Sequence, residues 1–294
     1  MDPRILDRLR CPVCGEPLAE ATAGTARALR CPRRHSFDIA RQGYVNLLAG
    51  RAPHVGDSAE MVAARADFLA AGHYDVISAA LAAAATRAVQ QLGAAGPEAA
   101  ALEAYPLVVD AGAGTGRYLG AVLAALPDAV GLALDVSKPA LRRAARAHPR
   151  AAAALADTWQ RLPLADASTA VLLNVFAPRN GPEFHRVLDP AGTLLVVTPD
   201  ADHLAEVVDA LDLLRVDPDK ADRVSGSLSG HFTPVSSAVH RVELTLTRPE
   251  VATLVGMGPS AWHTDPGALT ARLAALPEPV RVTVAIRMDA YRPR

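Results

Sequence analysis

Beyond residue 31 the sequence has no cysteine. Its three lie at positions 11, 14 and 31 of 294 residues, which excludes a disulfide-built scaffold and leaves no thiol for the body of the chain. Lysine is scarcer still, with two against 28 arginines. A GC-rich coding bias accounts for that as readily as a need for guanidinium groups does. Long hydrophobic runs are missing too: none approaches the roughly 18 residues of a membrane span. The opening Met1-Asp-Pro-Arg-Ile-Leu-Asp-Arg-Leu-Arg10 alternates charge where a signal peptide needs an apolar core. The expected compartment is a reducing cytoplasm. At 50% apolar, 21% charged and a net charge of −1, the chain has room for a full α/β domain plus a small appendage.

What is present begins with those cysteines. Cys11-Pro-Val-Cys14 and Cys31-Pro-Arg-Arg-His35 are separated by sixteen residues. Two ligand pairs on two turns can supply the four tetrahedral Cys/His ligands of a structural zinc. The plainer readings are a reduced-thiol loop, or a disulfide with one free thiol; Cys11 and Cys14 are too close for a stable staple. Residues 1–51 hold nine arginines against five acids, or +4, so the remainder sums to −5. A basic front on a mildly acidic body suits contact with a phosphate backbone. Arg33 and Arg34, lying between two ligands, are candidates for that contact, with a solvated turn as the alternative.

Residues 1–48 read as one compact unit of two knuckles, and residues 49–57 as a linker. From Asp57 a helix is expected, capped by Asp57 or Ser58, breaking near Gly72-His-Tyr74. An alanine-rich helix to about residue 92 and a loop from Gly93 to Pro97 follow. Then strands and helices alternate. Short apolar strands at 107–109, 130–134, just before Asp157, at 170–173 and at 193–197 are separated by helices at 117–126, before Pro149 and at 182–188. Fully apolar strands in β-α alternation argue a parallel, doubly wound sheet. Two late alternating strands, Val242–Leu246 and Val280–Ile286, suggest antiparallel pairing at one edge.

After the first of these strands comes Asp110-Ala-Gly112-Ala-Gly114-Thr115-Gly116. Glycines let a backbone turn sharply and approach a ligand at a helix N-terminus. A dinucleotide fingerprint puts its third glycine three residues after the second; here the gap is two, and an acid precedes the loop. That pattern favours S-adenosylmethionine, whose cationic amino-acid part Asp110 can meet. Asp135, closing the second strand, can accept from both ribose hydroxyls, or simply cap the next helix beside Ser137. Asp157, after the third, can accept from the adenine amine, or be a turn aspartate. Asn174 ends the fourth strand, where ligands bind in such sheets. It is the candidate to face the transferable methyl, against a merely loop-stabilising role.

With both halves in view, the chain resembles the 23S rRNA (guanine-N1)-methyltransferase family, and looks closest to the branch that confers resistance to tylosin-type macrolides. The specific stretches are Cys31–Leu48, Asp57-Ser-Ala-Glu-Met61, Gly72-His-Tyr74, Asn174-Val-Phe-Ala-Pro178 and Thr198-Pro-Asp-Ala-Asp-His-Leu204. The resemblance implies a class I methyltransferase with a seven-stranded, mostly parallel sheet. It implies a zinc-binding, RNA-recognition domain (1–48) liganded by Cys11, Cys14, Cys31 and His35. A linker and helix (49–75) would contribute to the cofactor pocket, ahead of the methyltransferase domain (76–294). Cofactor contacts are implied from Tyr74, Gly114, Thr115 and His203. Read by residue alone, Tyr74 is a half-buried core aromatic and His203 a surface histidine at a helix start. A homodimer acting on 23S rRNA is implied as well. The competing expectations are a methyltransferase for a small metabolite, which leaves the knuckle without a purpose, and a non-catalytic zinc-stabilised RNA-binding protein.

Overall fold

The structure, a computed structural model, describes residues 1–23, 26–50, 54–93, 105–214, 226–258 and 266–294. The expected loop to Pro97 and the middle of the expected linker, residues 51–53, lie outside them. In chain order the described elements begin with α1 (Pro3–Leu6), β1 (Ala19–Ala23), β2 (Ala26–Arg30), β3 (Ser36–Asp38), β4 (Tyr44–Asn46), α2 (Ala59–Ala70) and α3 (Asp75–Gly93). They continue through β5 (Leu107–Ala111), α4 (Arg117–Ala125), β6 (Val130–Asp135), α5 (Lys138–Ala144), β7 (Ala151–Leu155) and β8 (Thr169–Val175). The last are α6 (Gly181–Val187), β9 (Leu188–Pro199), α7 (Ala205–Leu211), β10 (Phe232–Leu246), α8 (Arg248–Gly256), α9 (Pro266–Ala275) and β11 (Val280–Pro293).

The main sheet runs β10-β11-β9-β8-β5-β6-β7-β4. Its central strands are parallel, and β11 pairs antiparallel with both β9 and β10. Seven of these strands are those of the expected fold. The eighth, β4, comes from the N-terminal unit and pairs parallel with β7, Tyr44 opposite Ala153. The separate three-stranded sheet β1-β2-β3 is antiparallel throughout.

Alternate residues of each strand face opposite sides, and the two sides are covered differently. Val108, Ala133, Ala153 and Leu173 pack under α2, α3, α4 and α5. Val109, Leu132, Ala154 and Leu172 face α6 together with Ile5, Leu9, Cys11, Leu29 and Cys31 of the N-terminal unit. No helix joins β7 to β8. The N-terminal unit covers the face that a crossover helix would have covered, with a bridge between Leu9 and Leu164 tying it to that connection.

Local chemistry explains the element ends that shape the site. Ser58 caps α2 by accepting from the Met61 N–H, and Ser137 caps α5 by accepting from the Ala140 N–H, each satisfying an orphan donor of the first turn. Among the described residues no single helix is long and apolar enough to span a membrane.

Candidate cofactor and metal sites

The two knuckles face each other. Backbone bonds close each turn, Gly15 N–H to Cys11 C=O at 2.8 Å and Arg34 N–H to Cys31 C=O at 2.9 Å. They bring the four ligand atoms of Cys11, Cys14, Cys31 and His35 within 4.8 Å of one another. The Cys14 and Cys31 Sγ atoms are 3.7 Å apart, and His35 Nδ1 lies 3.3 Å from Cys31 Sγ and 3.5 Å from Cys11 Sγ. A tetrahedral zinc with bonds of about 2.3 Å to sulfur and about 2.0 Å to nitrogen demands edges of roughly 3.6–3.8 Å. The donor set and the spacing therefore fit that ion. Cys11 and Cys31 are buried within the core that backs the sheet, so the ligands are supported from below. Arg33 and Arg34 stand out from the second turn, both exposed; Arg33 pairs with Glu16 at 3.6 Å.

In the main sheet, β5 ends in a loop that only glycine permits. Gly112 has φ +85°, and a Cβ there would lie 2.4 Å from the Ala177 Cβ; at Gly116, φ +77°, it would lie 2.9 Å from Ala144 Cα. The Gly114 N–H donates to Asp135 Oδ2 at 2.8 Å, and the Ser137 N–H to Oδ1 at 2.7 Å. Asp135 is thus fixed against the loop with lone pairs to spare. Burial raises its carboxyl pKa, against the pull of those two donors.

Asp110 is 1% exposed, and neither carboxylate oxygen has a hydrogen-bond partner among the described residues. Burial, reinforced by the negative Asp135, pushes its pKa up to about 8. A buried carboxylate left alone calls for a cation, and the ammonium of S-adenosylmethionine is one. Asp157 is equally buried but occupied: it accepts from the Trp159 N–H at 3.0 Å and pairs with His54 Nδ1 at 2.8 Å.

Tyr74 and His203, which composition alone would not single out, meet. The Tyr74 hydroxyl lies 3.4 Å from His203 Nε2. Burial raises the tyrosine's pKa, keeping it neutral. Phe176 completes the group, its ring centroid 5.9 Å from His203 and 6.5 Å from Tyr74. It is 41% exposed and sits at φ +52°, a left-handed conformation that a bulky residue adopts only where its surroundings impose it. Asn174 helps impose it. Its amide donates to Ala111 C=O at 3.2 Å and Pro178 C=O at 2.8 Å, while its buried Oδ1 has no partner among the described residues. Asn174 spends both donors on shaping the loop around Phe176.

Comparison with known proteins meets this geometry. The family model for the zinc ribbon described as "RlmA, N-terminal" matches residues 9–52. A Micromonospora griseorubida protein, provisionally named a 23S rRNA (guanine-N1)-methyltransferase, is 70% identical over the whole of both chains. The Streptomyces fradiae 23S rRNA (guanine(748)-N1)-methyltransferase is 49% identical over the whole of this chain and 99% of its own. The chain belongs to the 23S rRNA (guanine-N1)-methyltransferase family. A more distant Bacillus subtilis member, provisionally named likewise, is 30% identical over 86% of each chain.

In this methyltransferase two neighbours of the pocket carry no sequence signal. Arg65 of α2 leans on the glycine loop: a Cβ at Gly114 would lie 3.5 Å from its Nη1. Asp57, which it contacts through Nη1, and Met257 C=O, at 2.7 Å from Nη2, hold it there. His54 reaches Asp157 from the linker. Both contacts join residues distant in sequence, which no local spacing reports.

Proposed function

We propose that this protein transfers the methyl group of S-adenosylmethionine to N1 of a guanine in hairpin 35, domain II, of 23S rRNA. The full-length likeness to the S. fradiae enzyme, whose name specifies guanine 748, supports the same nucleotide, and with it resistance to tylosin-type macrolides. The observation that carries the reading is the pairing of β4 with β7. A metal-held unit with exposed arginines is hydrogen-bonded into the very strand that leads to Asp157. On this reading residues 1–48 recognise RNA, residues 49–75 link and contribute to the cofactor pocket, and residues 76–294 carry the transfer. The family resemblance further supports a cytoplasmic homodimer.

S-adenosylmethionine supplies, when bound, a methyl group on a sulfonium. The residues of the chain do the rest by position, which in such displacements supplies much of the rate. When the cofactor is bound, Asp110 would hold the ammonium, Asp135 would accept from the ribose hydroxyls, and Asp157, now paired with His54, would accept from the adenine amine. Gly112, Gly114, Thr115 and Gly116 would let the backbone approach it, and Tyr74 and His203 would contact it. Guanine N1 becomes nucleophilic as its proton leaves to water or a pocket carboxylate. The base must first leave its stack; Phe176 offers the exposed ring to receive it, and Asn174 fixes the loop that aims that ring.

The test is incubation of protein-free 23S rRNA with the protein and methyl-labelled S-adenosylmethionine, followed by primer extension. A cofactor-dependent stop at guanine 748 is expected. RNA binding without transfer would mark a non-catalytic RNA-binding protein. Failure both to bind and to methylate RNA would point to a small-molecule substrate.

A further inference from the structure

The segment from Val136 to Arg150 contains Lys138, Arg142, Arg143, Arg146 and Arg150, with no acidic residue, although residues 52–294 together carry net negative charge. One of the five is structural. Arg150 donates from Nη1 to Leu126 C=O at 2.6 Å and also to Ala129 C=O, and from Nη2 to Leu123 C=O, closing the end of α4. The other four are exposed and make no ion pair or side-chain hydrogen bond among the described residues. Lys138, Arg142 and Arg146 recur every fourth residue, along one face of α5 and the turn that continues it.

Position makes the patch more than a solvated face. Helix α5 starts three residues after Asp135, at the ribose end of the cofactor pocket, with its cap Ser137 donating to Asp57 C=O at 2.8 Å. Its far end meets the N-terminal unit: a Cβ at Gly43 would touch the Ala145 Cβ at 3.4 Å. That contact brings the Ala40–Gly43 turn, with the exposed Arg41, up to Ala145, which Arg143 and Arg146 flank in sequence. A line of cations therefore runs from the metal unit to the mouth of the cofactor pocket, across the edge that β4 closes.

We propose that Lys138, Arg142, Arg143 and Arg146, continued by Arg41, form a track for the phosphate backbone of the RNA substrate, leading the strand from the metal unit to the methyl donor. The inference rests on the RNA-methyltransferase reading. Phosphate contacts fix register without reading sequence, which is what a site needs when one base must be delivered to one pocket.

The test compares the wild-type protein with the quadruple variant Lys138→Gln/Arg142→Gln/Arg143→Gln/Arg146→Gln and the milder Arg142→Gln/Arg146→Gln, titrating a 23S hairpin RNA over a range of salt. The quadruple variant is expected to bind at least about tenfold more weakly near physiological salt, with its log–log salt slope reduced by about 3; the double variant should lose about half as much slope. Unchanged affinity for S-adenosylmethionine certifies the fold of each variant. Arg281→Gln, at an exposed arginine of β11 paired with Glu243 of β10, should leave the slope as it was. Wild-type slopes in the certified quadruple and double variants overturn the track, and so does an equal loss per charge in Arg281→Gln. If the wild-type protein itself binds no RNA, the underlying reading falls with it.

Discussion

In the N-terminal unit four side chains from two turns are drawn to within 4.8 Å of one another, whereas at the end of β5 the side chains are taken away. There the geometry is carried by backbone: three glycines with positive φ and the Gly114 N–H on Asp135. A metal site has to gather donors; a cofactor site of this kind has to make room. The two also hold charge differently. The thiols and imidazole gather around a common point, while the carboxylate oxygens of Asp110 have no partner among the described residues.

The largest effect is expected at the metal. Structural zinc contributes on the order of 10 kcal/mol to small domains that bind it, and this one shares its core with the main sheet. Chelation, or Cys14→Ser, is expected to remove one zinc per chain and to lower the melting temperature of the whole protein in a single transition. Two separate transitions by calorimetry would show that the unit and the sheet are independent. Next comes Gly112→Ala, which places a methyl group on Ala177 in a conformation that L residues avoid. Cofactor affinity by calorimetric titration should fall by about 100-fold or more, with zinc content unchanged.

Asp110→Asn sharpens the contrast in charge. Because burial lifts the Asp110 pKa to about 8, the ligand-free site holds a proton at pH 7. Binding of a cation then releases it, so affinity should rise as pH climbs toward 8. The folded value exceeds the unfolded one, so the free protein correspondingly loses stability over that climb. Titration at pH 7 in two buffers of different ionisation heat should reveal the released proton, and Asp110→Asn should abolish it while weakening binding by about tenfold. Asn174→Ala should leave the cofactor site itself nearly untouched. Losing two loop hydrogen bonds, together about 1–3 kcal/mol, should cut turnover on RNA roughly tenfold and leave cofactor affinity within about threefold. Near wild-type turnover would remove Asn174 and the Phe176 loop from the pocket.

The legible parts of this protein were those written in consecutive residues. Cys11 to His35, the run from Asp110 to Gly116 and the apolar strands each carry their signal locally, and the helices starting at Ser58 and Ser137 begin at recognisable caps. The edge strand β10 was legible only at its end: Val242–Leu246 alternates, but Thr233–Val239 is exposed on both faces, so no burial pattern announces its first half. Strand β4 is three residues long, too short for any periodicity, and exists only because β7 is there to pair with it. Arg65 on Gly114 and His54 on Asp157 are products of packing between distant segments. Tyr74 and His203 became candidates through family likeness alone, since a buried tyrosine and a histidine 129 positions apart in sequence share no motif.

Strand β4 also sets an order of assembly. The antiparallel strands β1, β2 and β3 are neighbours in sequence, so their pairing closes only short loops and can form as soon as the metal binds. Tyr44 must wait for Ala153, a partner made much later in synthesis, and contacts of such long separation form slowly. Until then the outer edge of β7 is a bare row of backbone donors and acceptors, open to any stray strand. The metal-bearing segment is therefore this sheet's own guard against mispairing, translated first but held back until β7 has been made.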